Sequence, residues 1–283
     1  MAAFILTLTG GGLGAQEIEA STDTGGGAGL NFDVGFATAY VFRGLNIFMD
    51  DDQRDQNMLI SPGITWSIFD TGLGVGYWGA YQLNGDDVSG HIDRGIGAEQ
   101  DLFVTYDLEL PHDLGLNFWV VYYFFPAADP DLAGVTNPSY LEPGMRFGIY
   151  SVLDLSINFA YFAGLQEELR DASYFYINPV LGKSFEFGNV VGLEISLGYG
   201  YKIWKDNSIV NNTHDVTFRT ALPISLPNDF YVTPAINVAR TNFEASHASD
   251  TSDPNLPPGY YDEIADQPHE TVVWGSLNVG VNL

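Results

Sequence analysis

Residues 31–44 read NFDVGFATAYVFRG. Taken two at a time, they separate into Phe32, Val34, Phe36, Tyr40 and Phe42, with Thr38 the one polar member, against Asn31, Asp33, Gly35, Ala37, Ala39 and Arg43, with Val41. Successive side chains of a strand point to opposite faces, so this period of two predicts a β-strand with one large apolar face and one small polar face. A soluble sandwich would bury the apolar face in a core. A membrane barrel turns it to lipid and keeps the polar face inside. The rest of the chain decides between them.

The pattern recurs over 57–69, 73–83, 97–110, 114–125, 140–151, 153–164, 174–185, 190–205, 215–226, 230–241 and 270–283. The stretch 190–205 is the clearest, and 174–185 has no clear facing. With the first stretch this makes twelve strands, an even number, each near the length a tilted strand needs to cross a bilayer. The connections sort by parity. After even strands they are tight, at 70–72, 111–113, 151–152, 188–189 and 227–229, and hold turn residues. After odd strands they are long and polar, at 45–56, 84–94, 126–139, 165–172, 206–214 and 242–269. Greek-key links of a sandwich have no reason to alternate in this way. The expected fold is all-β: a transmembrane antiparallel up-and-down β-barrel of about twelve strands, with short periplasmic turns and long acidic extracellular loops. Strand 1 should pair with strand 12 to close it. Outward aromatics cluster near strand ends, Tyr40, Phe42, Tyr81, Tyr122 and Tyr199 at the loop side and Phe32, Trp66, Tyr106 and Phe230 at the turn side, as two interfacial girdles would.

Composition narrows the function. The 283 residues carry 36 acids against 10 bases, a net charge of −26, which disfavours nucleic-acid binding and favours cations. There is no cysteine, hence no disulfide, thiolate metal site or Cys nucleophile. No apolar run reaches 18 residues, so a transmembrane helix is not expected. Residues 1–15 have the apolar stretch and small-residue site of an export signal, with cleavage before Gln16. Residues 16–30 read as a flexible Gly-rich leader, and 31–283 as the barrel domain.

Four segments then fall in a telling order: Tyr40-Val41-Phe42-Arg43-Gly44, Gly76-Tyr77-Trp78-Gly79, Glu99 to Tyr106 (EQDLFVTY), and Tyr122-Tyr123-Phe124-Phe125-Pro126. Together they resemble the TorF-type porins of proteobacteria over residues 31–126. The chain departs from that pattern where Ala37 or Thr38 stands for Ser, Phe103 for Tyr and Thr105 for Gly. The resemblance implies a barrel and a pore in a Gram-negative outer membrane, and no particular substrate.

Under this register Asp33, Arg43, Glu99, Asp101, Asp107, Glu109, Arg146, Asp154, Glu194, Lys202 and Arg219 point inward. Trp78, Trp119 and Tyr123 join them and would narrow a passage. These residues read either as pore lining that selects solutes by charge or as internal pairs that fill a narrow barrel. Acids at 50–52, 86–87, 129–131, 167–168 and 250–266 read as a solvated outer face. Divalent-cation binding that bridges lipopolysaccharide is the alternative, although no Ca²⁺-loop spacing is present. Loop 242–269 reads equally as an inserted plug or as a disordered segment. The five histidines form no motif with Ser or a phosphate loop, so no catalytic residue and no cofactor is expected. The expected function is an outer-membrane channel for passive diffusion of small hydrophilic solutes or cations, with lipid and lipopolysaccharide as partners. A closed structural or adhesive barrel is the alternative, and a lipid-modifying barrel enzyme comes last.

Overall fold

Strand β9, Asp154–Gly164, shows how the chain is arranged: Asp154, Ser156, Asn158, Ala160 and Phe162 are buried, while Leu155 and Phe159 are exposed. Polar groups are inside and apolar groups outside, the reverse of a soluble domain. In the computed structural model, residues 29–46, 58–83, 99–126, 136–150, 153–205, 212–241 and 271–283 are described.

The strands are β1 Gly29–Ala37, β2 Val41–Phe42, β3 Leu45–Asn46, β4 Leu59–Ile68, β5 Leu73–Gln82, β6 Glu99–Leu110, β7 Leu114–Phe124 and β8 Ser139–Ile149. After β9 come β10 Tyr174–Phe187, β11 Val191–Trp204, β12 Thr213–Ala221, β13 Ile224–Ser225, β14 Phe230–Thr241 and β15 Thr271–Asn282. Twelve of them form one closed antiparallel barrel, each paired with its neighbours in sequence, while β2, β3 and β13 are short additions. β1 meets β15 from Asn31↔Asn282 to Ala37↔Ser276, so the first and last long strands close the ring as expected. Closure leaves no free edge, which a bilayer would not tolerate. Leu102, Phe175 and Ile236 are among the lipid-facing side chains, each more than half exposed. At the short-turn end Phe69 and Phe187 are exposed on the outer surface, as are Phe32, Trp66, Tyr106 and Phe230.

Three expectations need correction. β1 starts at Gly29, two residues inside the expected leader. The expected strand 215–226 breaks at Pro223, which has no N–H for the ladder, and continues as β13. The third is larger: residues 31–44 are not one strand. β1 ends at Ala37, and the chain bends at Thr38 and Ala39. Thr38 makes the last links to β15, with its N–H donating to the Gly275 carbonyl at 3.0 Å and its Oγ1 accepting from the Gly275 N–H at 3.2 Å. Beyond it the chain enters the lumen. Tyr40 and Val41 are about 5% exposed or less, and Phe42 packs on Tyr123 and Phe162. Neither Tyr40 nor Phe42 belongs to a lipid girdle. The export signal, most of the leader, the turn 151–152, the acidic tracts other than Glu167-Glu168, and loop 242–269 lie outside the described residues.

Candidate functional site

The inserted segment ends in a two-residue hairpin. β2 pairs with β3 through Val41↔Asn46 and Phe42↔Leu45, with Arg43 and Gly44 at the tip. Both tip residues have positive φ, 49° and 84°. That is the requirement of the tight turn whose twist suits paired strands, and it is strained for Arg. Gly44 is obligatory on a second count. A Cβ there would lie 2.7 Å from the Asp215 Cβ and 3.0 Å from the Thr241 Cβ, so the tip abuts the wall of β12 and β14.

From that tip the Arg43 side chain reaches across to β8–β10. Nη2 donates to Glu142 Oε2 at 2.5 Å and Nη1 to the Tyr174 hydroxyl at 2.8 Å. The guanidinium carbon lies 4.3 Å from the Tyr176 ring centre and 4.7 Å from that of Phe42. The Arg43 carbonyl accepts from Lys202 Nζ at 2.7 Å. The segment before the tip keeps a period of two inside the lumen. Ala39 and Val41 pack on Ala239, Val272 and Trp274 of β14 and β15. Tyr40 faces the opposite wall, where its hydroxyl donates to Glu99 Oε2 at 2.7 Å and its ring lies 5.9 Å from that of Trp78. The hairpin therefore spans the lumen from wall to wall in the half nearer the long connections.

Four carboxyls are buried in this half: Glu99, Asp101, Glu142 and Asp215. Arg43 and Lys202 are buried beside them. Taking ions out of water is costly, and the arrangement holds because most of these groups have partners. Glu142 takes Arg43 on one oxygen and the Trp119 indole N–H, at 3.3 Å, on the other. Trp119 can lie there because Gly144 beneath it has no side chain. Asp215 accepts from the Tyr176 hydroxyl at 3.1 Å.

The other half of the lumen is wetter. Asn117 Nδ2 donates to Asp107 Oδ1 at 2.7 Å, and Arg146 Nε to Asn158 Oδ1 at 2.7 Å. Arg219 Nη1 lies 3.8 Å from Glu194 Oε2 with both side chains partly exposed. Arg146, Asp154, Glu194 and Arg219 line one cleft with Ser156 and Ser196. Asp33 faces inward across Gly63.

Thirteen of the fourteen residues read as inward thus lie on the inner side, Tyr123 among them packed on Phe42. Arg43, Trp78, Glu99, Asp101, Trp119 and Lys202 gather around the hairpin. Asp33, Asp107, Arg146, Asp154, Glu194 and Arg219 lie nearer the short turns, with Glu109 exposed at that rim. Sequence reasoning missed Glu142, Tyr174, Tyr176 and Asp215. Glu142 is four residues from Arg146 and Asp215 four from Arg219, so parity alone places both inside. Tyr174 and Tyr176 lie in the stretch whose facing was ambiguous.

No family model matches the chain, and no curated protein matches it in sequence. Among solved structures the chain is similar to the KdgM porin, at 10% identity and a TM-score of 0.46, covering 89% of this chain and 97% of that one. It is similar to the NanC porin at 11% identity and 0.46, covering 89% and 98%. It is also similar to the COG4313 outer membrane channel from Pseudomonas putida F1 at 10% identity and 0.48, covering 91% and 96%. The likeness is one of fold alone.

Proposed function

We propose that this barrel lies in the outer membrane and is a passive diffusion channel for small hydrophilic solutes, cations favoured, with its constriction at the Arg43 hairpin. One observation carries the reading. Asp33, Asp107, Arg146, Glu194 and Arg219 face inward and keep part of their surface open to solvent. Charged side chains left partly exposed inside a closed barrel stay hydrated, so this inner wall suits a hydrated path rather than a dry core. The apolar outer surface fits a bilayer, and the resemblance of residues 31–126 to TorF-type porins points the same way. Excess acid, −26 over the chain, favours cations in the path.

Reconstitution of the purified protein in planar bilayers tests this. Discrete conductance steps with a cation-selective reversal potential are expected. A membrane sealed at every voltage sinks the channel and leaves the fold. The second reading, a closed structural or adhesive barrel, is favoured by one feature, the buried Arg43–Glu142 pair across the lumen. It predicts that sealed result.

A further inference from the structure

Arg43 occupies a receptor that the barrel wall builds without it. Glu142 comes from β8, Phe162 from β9, and Tyr174 and Tyr176 from β10. The guanidinium carbon is 5.3 Å from the Tyr174 ring centre and 6.0 Å from that of Phe162, in addition to its closer approach to Tyr176. Ring faces attract a cation through their quadrupole, and more strongly where water is excluded. The carboxylate supplies the countercharge, and the Tyr174 hydroxyl accepts a second N–H. A planar cation with several N–H donors suits this combination better than a metal ion does, and the described residues hold no cluster of His, Asp and Glu fit for a metal.

Two further facts point to a site and not only a strut. Acids outnumber bases here by count, with Glu99, Asp101, Glu142 and Asp215 beside Arg43 and Lys202, and Glu99 and Asp101 are hydrogen-bonded to each other. Asp101 Oδ1, fully enclosed, has no partner among the described residues. The occupant also arrives on a two-residue tip with strained backbone, and the side-chain contacts of Arg43 in the cage are ones another guanidinium could make.

We propose that the cage of Glu142, Phe162, Tyr174 and Tyr176 is a binding site for guanidinium-bearing organic cations, with Arg43 as its tethered resident. Such solutes displace Arg43 as they enter; this names a solute class for the channel and rests on that reading. Removal of the resident should open the site. Ethylguanidinium is the probe, with neutral ethylurea of the same shape as the control, measured by calorimetry on detergent-solubilised protein. Arg43→Ala and the milder Arg43→Gln should each bind ethylguanidinium at least tenfold more tightly than the unaltered chain does. Ethylurea should not bind. Adding Glu142→Gln should abolish the gain. Equal binding of both probes, no binding by either folded variant, or a gain that survives Glu142→Gln overturns the site. Bilayer currents separate the two claims. Variants that bind ethylguanidinium but stay sealed to KCl leave the site standing and remove the channel. Variants that conduct KCl without binding the probe remove the site and leave the channel.

Discussion

Arg43 Nη2 and Glu142 Oε2 meet at 2.5 Å inside the barrel, from positions 99 residues apart in sequence, and both side chains are under a tenth exposed. The pair ties a hairpin that belongs to no wall onto the wall opposite its tip. Removing one partner from a buried pair leaves an uncompensated charge, which costs far more than exchanging both.

Arg43→Ala should therefore lower stability by about 3–5 kcal/mol. Replacing both members, Arg43→Met with Glu142→Met, should cost much less. Urea unfolding in detergent micelles, followed by tryptophan fluorescence, measures the difference. Equal losses in the two variants would show that the pair is not the latch.

Gly44→Ala tests the tip. Its φ of 84° and a Cβ 2.7 Å from the Asp215 Cβ oppose any side chain. Backbone strain alone is worth about 1–3 kcal/mol, and the clash adds to it. The hairpin should lose its seat while the ring of strands persists. Far-ultraviolet circular dichroism should stay unchanged as single-channel conductance rises.

Val104→Arg places a charge halfway along β6 on the lipid face, where Val104 is 46% exposed beside Val75 and Val120. A loss of about 2–4 kcal/mol is expected at the bilayer midplane. Thr105→Lys, one residue on, points into the lumen and should be tolerated better in lipid. Folding titrations in phospholipid vesicles compare them. The opposite order would mean that the faces are assigned the wrong way round.

Selectivity should reside in the wetter half. Glu194 and Arg219 face each other at 3.8 Å and are partly exposed, so their pairing adds little to stability. Glu194→Lys should shift the reversal potential toward anions in a KCl gradient, and Arg219→Glu should shift it toward cations. Unchanged potentials in both would remove this half from the permeation path.

The strand pattern, the pairing of first and last strands and the inward set of charges were legible in the sequence, because a period of two needs only local information. Asp33 and Glu99 lie inside by counting alone. Facing failed where side chains gave no contrast, as in Tyr174–Phe187, whose inward Tyr174 and Tyr176 resemble its outward Phe175 and Phe185. Glu142 was within reach of parity and was missed, because Pro143 and Gly144 interrupt the alternation beside it.

Residues 31–44 mark the boundary between what the chain encodes locally and what the fold decides. Their alternation by itself determined that Phe32 and Phe36 share a face and that Asp33 opposes them. It continues unbroken through Ala39, Tyr40, Val41 and Phe42, because those residues do alternate. Only the tertiary structure decided that they alternate between two walls of a lumen and not between lumen and lipid. The reason is physical: a strand's period does not record which medium lies on either side. Lipid can solvate the Tyr40 and Phe42 rings, but it has no carboxylate for the Tyr40 hydroxyl or the Arg43 guanidinium. Glu99 and Glu142, far away in sequence, supply both. With them the chain leaves β15 after Thr38 and turns inward.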